Sequence, residues 1–271
     1  MFKIRNKNTT SFVILLILTG VLSLGFIEGN KNGNGRLNKV YNNTEIKSSG
    51  AVGDAFRFHI NNLNIPINSS GVIADVNLAP EGSEGKFGVA SFLFSSGFMM
   101  SGLTNNSLWA CAQATASRVQ NFLPGPAGGN NDPRAQIYVL NREEGDFVKS
   151  WDDWKVAVEL GADFYDGDLN GLYEPVDKNG NGVWDPDEDA PDLIGDQTAW
   201  CLYNDGVPAA QRERFSGIGP QGIEIRQTVF GYSSKGALGN ILFVRYRLKN
   251  AGTVADRLDS VLFSVWADPD L

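Results

Sequence analysis

From Asp54 onward, short runs of apolar residues, many alternating with polar ones, are separated by Asn, Gly and Pro. The runs are FRFHI (56–60), GVIADVNLA (71–79), GVASFLFSSGFMMSGL (88–103), SLWACAQATASRV (107–119) and QIYVLN (136–141). Period-two alternation bounded by turn formers predicts strands. The alanines of SLWACAQATASRV fit a helix as well, but Trp109, Val119 and the nearby Pro124 favour a strand.

The C-terminal third repeats the pattern over GIEIRQTVFGY (222–232), NILFVRYRLKNAGT (240–253) and DRLDSVLFSVWAD (256–268). In the middle run Leu242, Val244, Tyr246 and Leu248 take one face, and Arg245, Arg247 and Lys249 the other. Such a strand belongs to an antiparallel sheet with one wet side.

One segment carries a helical period. Ser150 is placed to cap it, Asp153 stands at the third position, and Trp151, Trp154 and Val158 fall on one face before Gly161 stops it. Tryptophans at this spacing read as core in preference to a sugar platform. The fold class expected is mainly β, with antiparallel sandwich-like sheets, one short helix and an acidic calcium-loop insertion. No period of 20–50 residues points to a repeat architecture.

The N-terminus has another character. Lys3, Arg5 and Lys7 precede the apolar run Phe12–Phe26, which is shorter than the roughly twenty residues a spanning helix needs. This is the layout of an export signal, with Ser23 and Gly25 offering a cleavage site after Gly25. Residues 26–53 are rich in Asn, Gly, Ser and Lys and read as a flexible lead-in. The expected divisions are a signal over 1–25, the lead-in over 26–53, a β region over 54–149, the helix and acidic loops over 150–206, and a second β region over 207–271. The expected location is secreted or cell-surface, with no transmembrane segment after cleavage.

Loss of those three cations takes the formal charge from −8 to −11. So acidic a chain is a poor partner for nucleic acid or anionic membranes. Cys111 and Cys201 are the two cysteines, and an oxidising compartment leaves both a disulfide and two buried thiols open.

The acidic residues are not scattered. DGDLNGLYEPVDKNGNGVWDPDED (166–189) parses as two twelve-residue loops of the pattern D-x-[DN]-x-[DN]-G-x5-[DE]. The first places Asp166, Asp168 and Asn170 at positions 1, 3 and 5, the Leu172 carbonyl at 7, Glu174 at 9 and Asp177 at 12. The second starts on Asp177 and continues with Asn179, Asn181, the Val183 carbonyl, Asp185 and Glu188. Alternate residues of a tight turn aim oxygens at one centre, the glycine at position 6 permits the bend, and the last carboxylate closes the shell. A hard cation of six to eight oxygen ligands fits, which makes Ca2+ the expected cofactor. Pro175 and Pro186 stand where an EF-hand enters its exit helix, so a helix-loop-helix sensor is excluded.

Catalytic signatures are absent. GIGPQG (217–222) matches a dinucleotide glycine pattern in form but holds Pro220 and leads into a strand where the motif needs a helix. There is no GKS/GKT loop, no G-x-S-x-G elbow and no H-E-x-x-H helix, and His59 is the only histidine. A carboxylate-pair glycosidase leaves no local signature, so a carbohydrate-active or polysaccharide-binding protein stands as the alternative reading.

The stretch WDDWKVAVELGADFYDGDLNGLYEPVDKNGNGVWDPDEDAPDLIGDQTAWCLYNDG, followed by QGIEIRQTVFGY, GALGNILFVRYRLKNAGT and FSVWADPDL, resembles the N-terminal region of large secreted proteins of the Bacteroidetes and Ignavibacteria type. Many of these carry a C-terminal type IX secretion sorting domain. The resemblance implies a β-rich surface protein, mostly of unassigned function, with fibronectin-like or immunoglobulin-like modules further on. It also implies that this chain is a truncated form. The functional expectation is therefore a calcium-stabilised structural or adhesion protein without catalysis, whose partners are calcium and extracellular polymer or cell-surface components.

Overall fold

The computed structural model describes residues 2–5, 10–11, 53–113, 121–128, 132–212 and 214–270. The apolar run of the export signal, nearly all of the lead-in and the second half of SLWACAQATASRV lie outside the described residues.

The strands in chain order are β1 (Phe2–Arg5), β2 (Thr10–Ser11), β3 (Ala55–Phe58), β4 (Leu63–Asn68), β5 (Ile73–Ala74), β6 (Gly85–Phe87), β7 (Ala90–Thr104) and β8 (Ser107–Ala112). There follow β9 (Leu123–Pro124), β10 (Tyr138–Asn141), the helix α1 (Lys149–Glu159), β11 (Phe164–Tyr165), β12 (Ala190–Pro191), β13 (Gln197–Asn204), β14 (Ile223–Gly231), β15 (Phe243–Asn250) and β16 (Arg257–Pro269). Among the described residues the protein is mainly β with one α-helix, and the strand pairings are antiparallel. No helix among the described residues is long and apolar enough to cross a membrane.

Two sheets face each other. One runs β1-β16-β7-β5-β4-β3, with β6 and β8 also paired to β7, and the other runs β10-β13-β14-β15-β2, with β9 paired to β13. Local chemistry sets the register of the first. Asn105 and Asn106 both have positive φ (49° and 65°) between the paired Thr104 and Ser107, a two-residue hairpin that asparagine tolerates. The third C-terminal strand does not extend the sheet of the other two. β14 pairs with β15, while β16 crosses over to β7 and joins the two layers.

The alternation read in β15 is observed: Val244, Tyr246 and Leu248 are buried and Arg245, Arg247 and Lys249 are not. GVIADVNLA behaves differently, since only Ile73–Ala74 is strand and Ala74 and Asp75 turn through positive φ. The core between the sheets centres on Phe98, whose ring lies 5.0 Å from both Tyr246 and Phe263 and 5.4 Å from Phe122.

A second, smaller core lies on the far side of the second sheet. Every residue of β13 is buried, with Ala199, Cys201 and Tyr203 in the main core and Trp200 and Leu202 in the outer one. Helix α1 covers Trp200 and Leu202 with Trp151, Trp154 and Ala157. The tryptophans of this helix are therefore packing residues. The helix begins at Lys149, earlier than a Ser150 cap would place it, because Ser150 lies inside the first turn and donates its Oγ–H to Glu144 at 2.8 Å. Its Val148 cap makes no side-chain hydrogen bond.

Cys111 and Cys201 are buried free thiols, one on each sheet. Burial pushes both thiols up, Cys201 to about 12, so neither is poised as a nucleophile.

Truncating Phe98 to alanine removes the ring that both sheets pack against. The expected cost is about 3–5 kcal/mol. Urea unfolding of Phe98→Ala against the parent chain, at constant m-value, measures it.

Candidate metal centre

The acidic stretch leaves the outer layer as a closed loop. β11 and β12 pair with Phe164 opposite Pro191 and Tyr165 opposite Ala190, so residues 166 and 189 are held side by side. The stem is fixed to the body at several points. Trp154 Nε1 donates to the Asp163 carbonyl at 2.9 Å, Tyr173 donates its hydroxyl to the Trp151 carbonyl at 3.1 Å, and the Trp184 amide donates to Asp146 at 3.0 Å. On the sheet side Arg247 pairs with Asp163, and Arg245 with Asp192 at 2.5 Å and Asp163 at 3.6 Å. The basic face of β15 thus serves as the seat of the acidic segment.

Within the first loop Asp166 accepts the amides of Asn170 (3.1 Å) and Gly171 (2.9 Å), and Asn170 Oδ1 accepts that of Leu172 (2.7 Å). The second loop repeats the arrangement. Asp177 accepts the amides of Gly180, Asn181 and Gly182, and Asn181 Oδ1 accepts that of Val183 at 2.7 Å. Both turns need glycine at position 6, since Gly171 and Gly182 have φ of 80° and 75°.

The carboxylates that close the loops are adjacent in sequence. Glu188 accepts the amides of Lys178 (2.6 Å) and Asp185 (2.9 Å), positions 2 and 9 of the second loop. Asp189 accepts the amides of Gly167 (2.9 Å) and Glu174 (2.8 Å), positions 2 and 9 of the first. Asp189 therefore does for the first loop what Glu188 does for the second. Both side chains are buried, at 1% and 2% exposure, within a segment that is otherwise largely exposed. Gly167 permits the crossing, because a Cβ there would lie 2.3 Å from the Glu188 carbonyl oxygen.

The positions read from the sequence divide accordingly. Asp166 and Asp168 come together with Asp189, and one oxygen of each lies within 4.8 Å of the others. Asn170 turns the first loop, and Leu172 and Glu174 are exposed on it, the Glu174 amide binding Asp189. Asp177, assigned to both loops by spacing, spends its oxygens on the second loop alone. Asn179 and Asn181 each donate a side-chain N–H to Asp185, at 2.7 and 3.0 Å, beside the exposed Val183 and the buried Glu188. Lys178 bridges the loops, donating to the Asp187 carbonyl at 2.6 Å and lying 3.4 Å from Asp168.

Asp189 was missing from the ligand set read by spacing because a contiguous twelve-residue frame stops at Asp177. The available signal was the doubled acid Glu188-Asp189 after the second loop. All donors in the cluster are oxygens of carboxylates, which fits a hard divalent cation and no soft metal.

Other ionisable groups are committed elsewhere. Asp205 and Arg212 form a buried pair at 4.0 Å, and Asp205 accepts the amides of Gln221, Gly222 and Ile223, which holds that loop together. His59 is exposed, its Nδ1 3.0 Å from the Arg57 carbonyl. No protein-family model matches the chain, and neither a curated protein nor a solved structure matches it.

The backbone N–H of Gly182, with those of Gly180 and Asn181, holds the Asp177 carboxyl below the usual carboxylate range. A folded value below the unfolded one, about 3.9, means that the loop's stabilisation is complete above that pH and is lost as pH falls through the folded value. Acid titration should therefore release the second loop, read as a change in Trp184 emission that the Trp184→Phe protein lacks. No change below pH about 3.9 would contradict the Asp177 bonding.

Proposed function

We propose that the protein is a calcium-stabilised structural or adhesion module, exported through its N-terminal leader and working outside the cell or at its surface. The observation that carries the calcium reading is the duplicated geometry. Two loops of calcium-loop sequence each fold around a position-1 aspartate, and each is closed by its own buried carboxylate, Glu188 or Asp189. Carboxylates gathered as closely as Asp166, Asp168 and Asp189 repel one another, and a divalent cation offsets that repulsion.

The export reading rests on Lys3, Arg5 and Lys7 before the Phe12–Phe26 run and on the acidic balance of the rest. Type IX export and further surface modules are expectations carried by the sequence resemblance alone. Of the tryptophans that favour the polysaccharide reading, Trp109, Trp151, Trp154 and Trp200 are buried, and Trp184 is half-buried with its Nε1–H donated to the Glu188 carbonyl at 2.9 Å.

Calorimetry in millimolar calcium against EGTA tests the central claim. Binding to the folded state alone must raise stability, by about 2.7 kcal/mol at a free concentration one hundred times Kd. Asp168→Asn, at an exposed position, should keep the fold in EGTA and reduce the calcium shift. A melting temperature indifferent to calcium would sink the proposal. Intact mass of the exported chain tests the leader: a start at Phe26 is expected, which takes β1 off the edge of β16 and β2 off the edge of β15.

A further inference from the structure

An asparagine that precedes glycine can lose its side-chain amide without an enzyme, because glycine has no Cβ to keep its backbone nitrogen away from the asparagine Cγ. Among the described residues this step occurs at Asn170-Gly171, Asn179-Gly180 and Asn181-Gly182, all within the acidic loops. The three asparagines are exposed, so access to water does not rank them. Their hydrogen bonds do.

Two kinds of bond are common to all three. The N–H of the attacking glycine is donated to the aspartate at position 1 of its loop, Gly171 to Asp166 at 2.9 Å, and Gly180 and Gly182 to Asp177 at 2.7 Å. Each asparagine side-chain carbonyl accepts the amide two residues on, that of Leu172 at 2.7 Å, Asn181 at 2.9 Å or Val183 at 2.7 Å. The third bond separates the loops. The departing nitrogens of Asn179 and Asn181 are donated to the Asp185 carboxylate at 2.7 and 3.0 Å, whereas that of Asn170 has no partner among the described residues. A bond to a charged acceptor that must break before the transition state slows a reaction about tenfold or more.

We propose that Asn170 is a site of spontaneous deamidation, and that the second loop shields Asn179 and Asn181 from the same reaction. The Gly171 nitrogen attacks Asn170 Cγ, the new C–N bond closes a succinimide ring, and the Cγ–Nδ2 bond breaks. The proton of Gly171 leaves with that nitrogen as ammonia. Water then opens the ring, giving aspartate by attack at Cγ and isoaspartate by attack at the main-chain carbonyl. Aspartate is the other residue type that the calcium-loop pattern takes at position 5. It keeps the frame and adds a negative charge beside Asp166 and Asp168, which accept the residue 170 amide at 3.1 and 3.2 Å. Isoaspartate lengthens the main chain and breaks the turn to Leu172. The reaction needs no cation and does not rest on the calcium reading.

Trypsin separates the steps, since cleavage at Lys155, Lys178 and Arg212 puts Asn170 on one peptide and Asn179 and Asn181 on the next. The folded full-length chain is held in EGTA at mildly alkaline pH, sampled over time and mapped by mass and fragmentation. Asn170 should deamidate about tenfold or more faster than either asparagine of the second loop. In urea the three rates should draw together. Asp185→Ala removes the shielding carboxylate and should raise the rates at Asn179 and Asn181 to that of Asn170, with Asn170 unchanged. An intact Asn170, a parent chain in which Asn179 or Asn181 reacts as fast as Asn170, a gap that persists in urea, or a rise at Asn170 in Asp185→Ala would each overturn the proposal.

Discussion

A strand buried on both faces requires a layer on each side, and β13 is such a strand. Its eight residues, Gln197 to Asn204, are all buried, with Cys201 and Tyr203 toward one core and Trp200 and Leu202 toward the other. A two-sheet sandwich covers only one of these faces. The other would expose Trp200 and Leu202 unless something lay across it, and α1 with the stem of the acidic loop does so. The unusual part of the molecule, an acidic insertion beside a sheet, is thus required by ordinary burial. Burying side chains of this size contributes about 1.5–3 kcal/mol each.

Anchoring an acidic segment on a sheet also needs charge balance, and β15 supplies it. Arg245 and Arg247 face outward because the inner face is taken by Val244, Tyr246 and Leu248, and they meet Asp192 and Asp163 at the two ends of the loop. Arg226, opposite Arg247, lies against Gly161, where a Cβ would stand 2.4 Å from its Nη2. The guanidinium thereby lies at the C-terminal end of α1, the negative end of the helix dipole. One basic face therefore seats both the helix and the loop.

The legible parts of the sequence were those governed by local rules. Alternation gave the faces of β15, and the spacing of Trp151 and Trp154 gave the buried side of α1, because both depend only on the period of the element. The acidic turns were legible because Gly171 and Gly182 must bend where the motif bends. The partner sheet of β16 was not legible, since nothing local distinguishes a strand that extends its hairpin from one that crosses the sandwich. Nor was Asp189. Its role depends on β11 and β12 bringing the two ends of the segment together, a pairing of only two residues on each side.

That short pairing also decides what kind of device the loops can be. An EF-hand converts ion binding into movement because its exit helix is free to swing. Here Pro175 and Pro186 bar a helix, the β11–β12 stem fixes both ends, and Glu188 and Asp189 bind one loop each from adjacent positions. A loop whose ends are already held has paid most of its closure entropy, and that cost grows only slowly with length. A cation bound among Asp166, Asp168 and Asp189 would then relieve repulsion inside a preformed frame and leave the sheets where they are. In such a frame ion binding changes stability without changing shape, which is the behaviour of a structural clamp and not of a sensor.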